Sequence, residues 1–315
     1  MGRAGQRLAA ISIDLDEVHC YSAIHGLEPL EGPAANAIYA KAVPRFEELF
    51  DELDIPATFF AIAADTATPV AVDALRRLAA AGHEIASHSL DHLYDLTRRD
   101  RATQTRQVVE SLDRLQAVTG ARPVGFRAPG YTITDALLEV IAEAGLRYDS
   151  SVFPCPPYYG AKAAAIGAIR VRAALGRGKP SHSIVDDPRV LTAPADPYRI
   201  GRPYWRRGDG LLELPIGVSR GPRLPYIGTS VVLAGTRGAD WLTRSMIGRP
   251  LVNLELHGID LADAAMDGLQ SLAPYQPDLR VDAAGKEAAL RAAVHRLQAE
   301  GYRFVRLADA ADAFS

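Results

Sequence analysis

The run Arg7-Leu8-Ala9-Ala10-Ile11-Ser12-Ile13-Asp14-Leu15-Asp16 constrains the fold more than any other stretch of this chain. It lacks the polar alternation of a half-exposed strand and reads as a parallel strand buried on both faces. Two carboxylates close it. Side chains two apart on a strand share a face, so Asp14 and Asp16 point the same way. Two acids at the end of a buried strand are costly unless a metal or an arginine offsets their charge. A strand of this kind belongs to an α/β fold, in which chemistry collects at strand ends.

A second strand-end signal lies in Glu84-Ile85-Ala86-Ser87-His88-Ser89-Leu90-Asp91-His92. Ile85-Ala86 reads as the end of a buried strand, and two histidines follow with three residues between them. On a helical turn, positions i and i+4 share a face, so both imidazoles are expected to point at one spot. Imidazole is the commonest neutral metal ligand. A divalent metal held by about three protein residues keeps a position open for water.

Composition narrows the function classes. With 315 residues, a formal charge of −3, 48% hydrophobic and 23% charged residues, the chain can form one large α/β domain or two small ones. The charge gives no reason to invoke nucleic acid as a partner. No apolar run is long enough to span a bilayer, so no transmembrane segment is expected. Met1 to Arg7 lead into the first strand without a signal-peptide core, so a cytoplasmic location is expected. The two cysteines, Cys20 and Cys155, fit a reducing compartment.

In order along the chain, residues 17–33 are expected to form a loop over the site, carrying His19 and His25. Residues 36–53 read as a helix broken at Pro44, 56–62 as a strand, and 69–81 as a helix stopped by Gly82. Helix 97–119 would be capped by Thr97 and ended by Gly120. A short strand then stops at Pro129-Gly130. Helix 134–144 and a strand over 146–154 follow. From 155 to 210 periodicity fails, which marks a lid or binding insertion. Gly176-Arg177-Gly178-Lys179-Pro180 lacks the spacing of a phosphate loop. The sheet resumes at 211–216, a short helix covers 241–247, and 250–258 is a strand ending in His257. Helix 284–299 and a strand at 302–305 complete one catalytic domain over residues 1–315.

Five strand ends thus carry polar groups: Asp14/Asp16, His88/His92, Arg127, Asp149 and His257. In a parallel barrel such ends converge on one rim. This ordered set resembles the polysaccharide deacetylases, carbohydrate esterase family 4, whose shared unit is the NodB homology domain. Asp14-Leu15-Asp16 looks like an Asp-x-Asp variant of the first motif. His88-Ser89-Leu90-Asp91-His92 is similar to the His-Ser/Thr-x-x-His metal motif, Arg127-Ala128-Pro129-Gly130-Tyr131 to Arg-x-Pro-x-Tyr, and Leu254-Glu255-Leu256-His257 to Leu-x-x-His. The sequence departs from the family at Gly258, where many members have Asp, and at Asp149, which lacks the usual tryptophan partner. The resemblance implies a distorted (β/α)7 barrel, TIM-like, with a long insertion.

The resemblance also implies a chemistry. Asp16, His88 and His92 would hold a divalent metal, Zn²⁺ by default, with Co²⁺, Mn²⁺ or Ni²⁺ as alternatives. Asp14 would be the general base and Arg127 its ionic partner. A backbone N–H near Tyr131, together with the metal, would meet the oxyanion. His257 would protonate the leaving amine, with Asp149 orienting it. The expected activity is carbohydrate metabolism by a hydrolase: N-deacylation of an N-acylated amino sugar or saccharide. The alternatives are hydrolysis of a non-sugar amide, as in allantoinase-like enzymes or deformylases, and a non-catalytic carbohydrate-binding barrel.

Overall fold

Strand β1 (Leu8–Leu15) is buried along its whole length and forms the axis of the sheet. The computed structural model describes residues 7–174 and 184–315, and only the backbone of 170 and 172–174. Residues 1–6, and the glycine-rich run 176–180 whose spacing excludes a phosphate loop, lie outside the described residues.

After β1 the chain forms α1 (Val18–His25), α2 (Val43–Leu53), β2 (Thr58–Ala61), α3 (Pro69–Ala80), β3 (Glu84–Ser87), α4 (Arg101–Thr119) and β4 (Gly125–Phe126). Then come α5 (Asp135–Glu143), β5 (Tyr148–Asp149), α6 (Pro156–Ala174), β6 (Tyr198–Ile200) and β7 (Arg207–Glu213). The chain closes with α7 (Gly228–Arg244), β8 (Leu251–His257), α8 (Ala283–Ala299), β9 (Arg303–Phe304) and α9 (Leu307–Phe314). Among the described residues the sheet has nine strands in the order β6-β7-β5-β4-β3-β2-β1-β8, with β9 also on β1. Every pairing is parallel except β6–β7. Without β6 and β9, the path holds the seven parallel strands expected. The segment after β7 bridges its open side: Ile216 N–H donates to Val152 O at 3.0 Å and Gly217 N–H to Asn253 O at 2.9 Å.

The core follows from the apolar periodicity. Phe46 and Phe50 of α2 pack against Phe59 of β2, with ring centroids 6.4 and 6.3 Å apart. Each is buried, and such burial contributes about 1.5–3 kcal/mol per side chain. Pro44 lies in the first turn of α2, after a π-helical turn over Ile38–Ala42, so the expected break falls there.

Four expectations differ from the structure. Residues 17–33 contain α1, capped by Glu17, whose Oε1 accepts from Val18 N at 2.8 Å. Helix α4 is capped by Asp100, which accepts from Thr103 N at 2.7 Å, and not by Thr97. Helix α7 starts well before residue 241. Gly228, Gly235 and Gly238 dilute its helical signal, and it bends at Gly235, where φ is 63°. The 155–210 insertion carries α6 and β6, and β7 begins inside it. No helix of the described residues is long and apolar enough to cross a membrane.

Candidate metal and acid–base site

The C-terminal ends of β1, β3, β4 and β8 deliver the site. Asp14 pairs in register with His257 across β1–β8, so these groups stand side by side. His88 follows the last residue of β3. The two histidines do not lie on a helical turn as expected. The chain turns through left-handed conformations at Ser89 (φ 68°) and His92 (φ 52°). Local bonds hold that turn. Ser89 Oγ accepts from His92 N at 3.1 Å, and Gln107 of α4 both accepts from Asp91 N (2.9 Å) and donates to Asp91 Oδ2 (2.6 Å).

The turn brings both imidazoles to one point by another route. His92 Nε2 lies 3.2 Å from His88 Nε2 and 3.2 Å from Asp16 Oδ1, and His88 Nε2 lies 3.5 Å from Asp16 Oδ1. The Arg127 carbonyl accepts from His88 Nδ1 at 2.8 Å, which sets the tautomer and leaves Nε2 facing the cluster. Burial pushes His88 down to about 4, so it is neutral at pH 7. Burial pushes Asp16 up, but His92 and then His88 outweigh it and hold the carboxylate well below its ordinary range. Asp16 Oδ1 is buried with no hydrogen-bond partner among the described residues. Two imidazole nitrogens and an orphaned carboxylate oxygen converging in a buried site fit a divalent cation.

Beside this cluster, Asp14 has two unlike oxygens. Arg127 Nη1 donates to Oδ1 at 2.7 Å, whereas Oδ2 has no hydrogen-bond partner among the described residues and lies 3.8 Å from His88 Nε2. Arg127 is fully buried and all its nitrogens are engaged. Nη2 donates to Ser12 Oγ (2.8 Å) and Ser150 Oγ (2.9 Å), and Nε donates to Ser150 O (2.8 Å). The guanidinium also lies 4.1 Å from the Phe60 ring centroid.

His257 receives a different partner from the one expected. Asp149 turns away: its Oδ1 accepts from Ser151 Oγ at 2.8 Å and its Oδ2 from Ser151 N at 3.1 Å. It also pairs in register with Glu213, another fully buried carboxyl. The group 3.1 Å from His257 Nδ1 is Glu255 Oε1. Burial alone would lower the His257 pKa, but the charge and hydrogen bond of Glu255, then Asp14 and Asp16, raise it well above the ordinary value. Glu255 was open to discovery in the sequence, because it lies two residues before His257 on the same face of β8.

Tyr131 sits in a tight turn in which its own backbone N–H donates to Ala128 O at 3.0 Å. Its phenol faces the site, with Oη 3.3 Å from His257 Nε2. Gly258, the departure after the last motif, has a packing cause: a Cβ there would run into Ile38 Cγ2.

These groups line a cavity of about 230 Å³, with Asp14, Asp16, His88, Tyr131 and His257 in its wall. Helix α6 of the insertion supplies Tyr158, Lys162 and Ile166. Lys162 Nζ donates to Gly130 O at 2.6 Å and so ties α6 to the Pro129-Gly130-Tyr131 turn. His19 does not line the cavity, and His25 stacks on Tyr275 at 5.3 Å.

The chain is similar to several known proteins. The sequence profile of the polysaccharide deacetylase family matches residues 32–148, which include His88, His92, Arg127 and Tyr131. A peptidoglycan deacetylase from Helicobacter pylori is 27% identical over 161 residues, 50% of this chain and 54% of that protein. A peptidoglycan deacetylase-like protein from Gibberella zeae is 37% identical over 71 residues, 22% of this chain and 21% of that protein. The matches thus span about half, or less, of these relatives. Among solved structures, a protein assigned as a polysaccharide deacetylase from Mycobacterium smegmatis superposes with a TM-score of 0.60 at 21% identity. That likeness covers 100% of this chain and 92% of the other. A CE4 family pseudoenzyme from Bacillus anthracis gives 0.53 at 10% identity, covering 98% and 66%. The structural likeness shows the fold, the distorted barrel expected, and the profile and the curated relatives make part of this chain similar to the polysaccharide deacetylases.

Proposed function

We propose that this chain is a metal-dependent N-deacylase of an N-acylated amino sugar. One observation carries the reading. A carboxylate with one oxygen pinned by Arg127 and the other free stands beside a histidine held protonated by Glu255, at the edge of a two-histidine, one-carboxylate cluster. Such a pair is a general base and a general acid at the same pH. A barrel that merely bound sugar would have no use for this division of protonation states.

Asp16, His88 and His92 would hold the cation, with Zn²⁺ the default for this donor set and Co²⁺, Mn²⁺ or Ni²⁺ as alternatives. When bound, it would polarise the acyl carbonyl and lower the pKa of water. Asp14 Oδ2 accepts the proton of the attacking water. Arg127 pairs with Asp14 and fixes its plane through Oδ1. His257 Nε2 then donates to the leaving nitrogen, which is too basic to depart unprotonated, and Glu255 stabilises the imidazolium until that transfer. Tyr131 Oη orients the His257 ring. The products are a free amine and a carboxylate such as acetate.

The sheet draws strands from residue 8 to residue 304, which supports one catalytic unit with α6 as part of its site. Cys20 and Cys155 are free and buried, which suits a cytoplasmic location. The test is amine release from N-acetylated saccharides by metal-loaded protein, beside Asp14→Asn. Release by the parent and none by the variant, with metal retained in both, is the expected result. Full activity in the variant sinks the base assignment.

A further inference from the structure

Among the described residues, the cavity lining includes buried polar groups that the deacylation scheme does not use; Tyr94 Oη is one, and two others belong to buried residues. Tyr21, on α1, is 4% exposed, and Asp278, in the turn Pro277–Arg280, is 2% exposed. Both line the cavity. Tyr21 Oη and Asp278 Oδ1 have no hydrogen-bond partner among the described residues. Leaving a buried polar atom unsatisfied costs about 1–3 kcal/mol, and native proteins keep few such atoms without a reason.

The two groups are chemically complementary. Burial, then the charges of Asp16 and Asp278, push the Tyr21 phenol up, so it remains a donor at neutral pH. Tyr21 and Asp278 face one cavity, each with a polar atom unpartnered among the described residues. Burial pushes the Asp278 carboxyl up as well, against the pull of Lys286 and His257. Ionised or not, a carboxyl keeps an oxygen that accepts. Lys286 Nζ donates to Ile259 O (3.0 Å) and Ala262 O (2.6 Å). A substrate hydroxyl is the kind of group that accepts from a phenol such as Tyr21 and donates to a carboxyl such as Asp278. Gln276 and Thr229 add polar lining, while Ile24 and Ile259 add apolar wall. A mixed lining of this kind suits a sugar ring, with its polar edge and apolar face.

We propose that Tyr21 and Asp278 form a hydroxyl-binding subsite that selects amides of polyhydroxylated amines, saccharides above all, over amides of simple amines. The proposal rests on the deacylase reading and names the substrate feature that the site recognises. Both residues bind and select, and neither touches the reacting atoms. A subsite built for a hydroxyl rejects the analogue that lacks one, because its own groups are then left unpaired.

The test compares metal-loaded parent, Tyr21→Phe and Asp278→Asn on an N-acetylglucosamine trimer and on N-acetylcyclohexylamine, which carries no hydroxyl. The parent is expected to favour the saccharide. Each variant is expected to lower the ratio of the two kcat/KM values about tenfold or more, through KM. The double variant should lose little beyond either single one, since one hydroxyl serves both groups. An unchanged ratio overturns the subsite. Binding of the trimer, followed by calorimetry, needs no turnover. If the parent binds the trimer tenfold tighter than both variants yet releases no amine, the subsite stands and the deacylase reading falls. Equal binding in parent and variants overturns the subsite whatever the activity.

Discussion

Glu255 Oε1 stands 3.1 Å from His257 Nδ1, and its charge raises the pKa of that partly buried imidazole. The folded pKa of His257 is raised above its ordinary value of about 6.5. Its protonation therefore contributes stability that is fully present below that value and is lost as pH rises through the folded pKa. Glu255→Gln removes the charge that lifts it. The alkaline limb of kcat/KM is predicted to move to lower pH. The deficit in urea stability against the parent should be largest below about pH 6 and shrink as pH rises. An alkaline limb that stays in place would show that another group is the acid.

The Arg127–Asp14 pair predicts two separable effects. Asp14→Asn should lower kcat by about 10²- to 10⁴-fold, the size of a lost general base, while elemental analysis finds the metal still bound. Arg127→Ala should act mainly on folding. It leaves Asp14 charged, buried and unpaired, and breaks such a pair at a cost of about 3–5 kcal/mol. Thermal and urea denaturation read that loss directly. An Arg127→Ala protein as stable as the parent would mean that Asp14 finds another partner.

These two pairs show what the sequence could carry. Arg127 and Asp14 are 113 positions apart, yet both close apolar strand runs, and the parallel fold brings such ends together. The role of Glu255 was hidden beside an expected partner, Asp149, whose register with Glu213 commits it to another carboxyl. The spacing of His88 and His92 was legible, but its cause was not. The imidazoles meet because Ser89 and His92 adopt positive φ, a backbone choice that periodicity does not report. Tyr21 and Asp278 lie in segments whose positions depend on tertiary packing, so no local pattern links them. The insertion looked irregular because α6 is rich in alanine and glycine and has no strong apolar stripe.

The His88–His92–Asp16 cluster predicts a single cation. Elemental analysis of purified protein should give about one equivalent of zinc, or of cobalt, manganese or nickel after reconstitution. The His88→Ala/His92→Ala double variant should hold none. The parent should also lose thermal stability when a chelator removes the ion, because binding to the folded state alone adds to its stability. A parent that takes up no ion under any of these conditions would remove the basis for the hydrolytic mechanism.

Gly258 tests whether a departure from the family pattern is chemical or steric. It directly follows His257, and many family members carry Asp at that place. Here a Cβ would run into Ile38 Cγ2, and Ile38 is fully buried at the start of the π-helical turn that leads into α2. Gly258→Asp is therefore predicted to destabilise the protein by about 1–3 kcal/mol through overpacking, read as a lower urea midpoint with an unchanged slope. Trimming the obstacle should recover part of that loss, so Gly258→Asp/Ile38→Ala should be more stable than the sum of the two single changes. If the losses simply add, the glycine is not there to admit Ile38, and its reason lies in the chemistry next to His257.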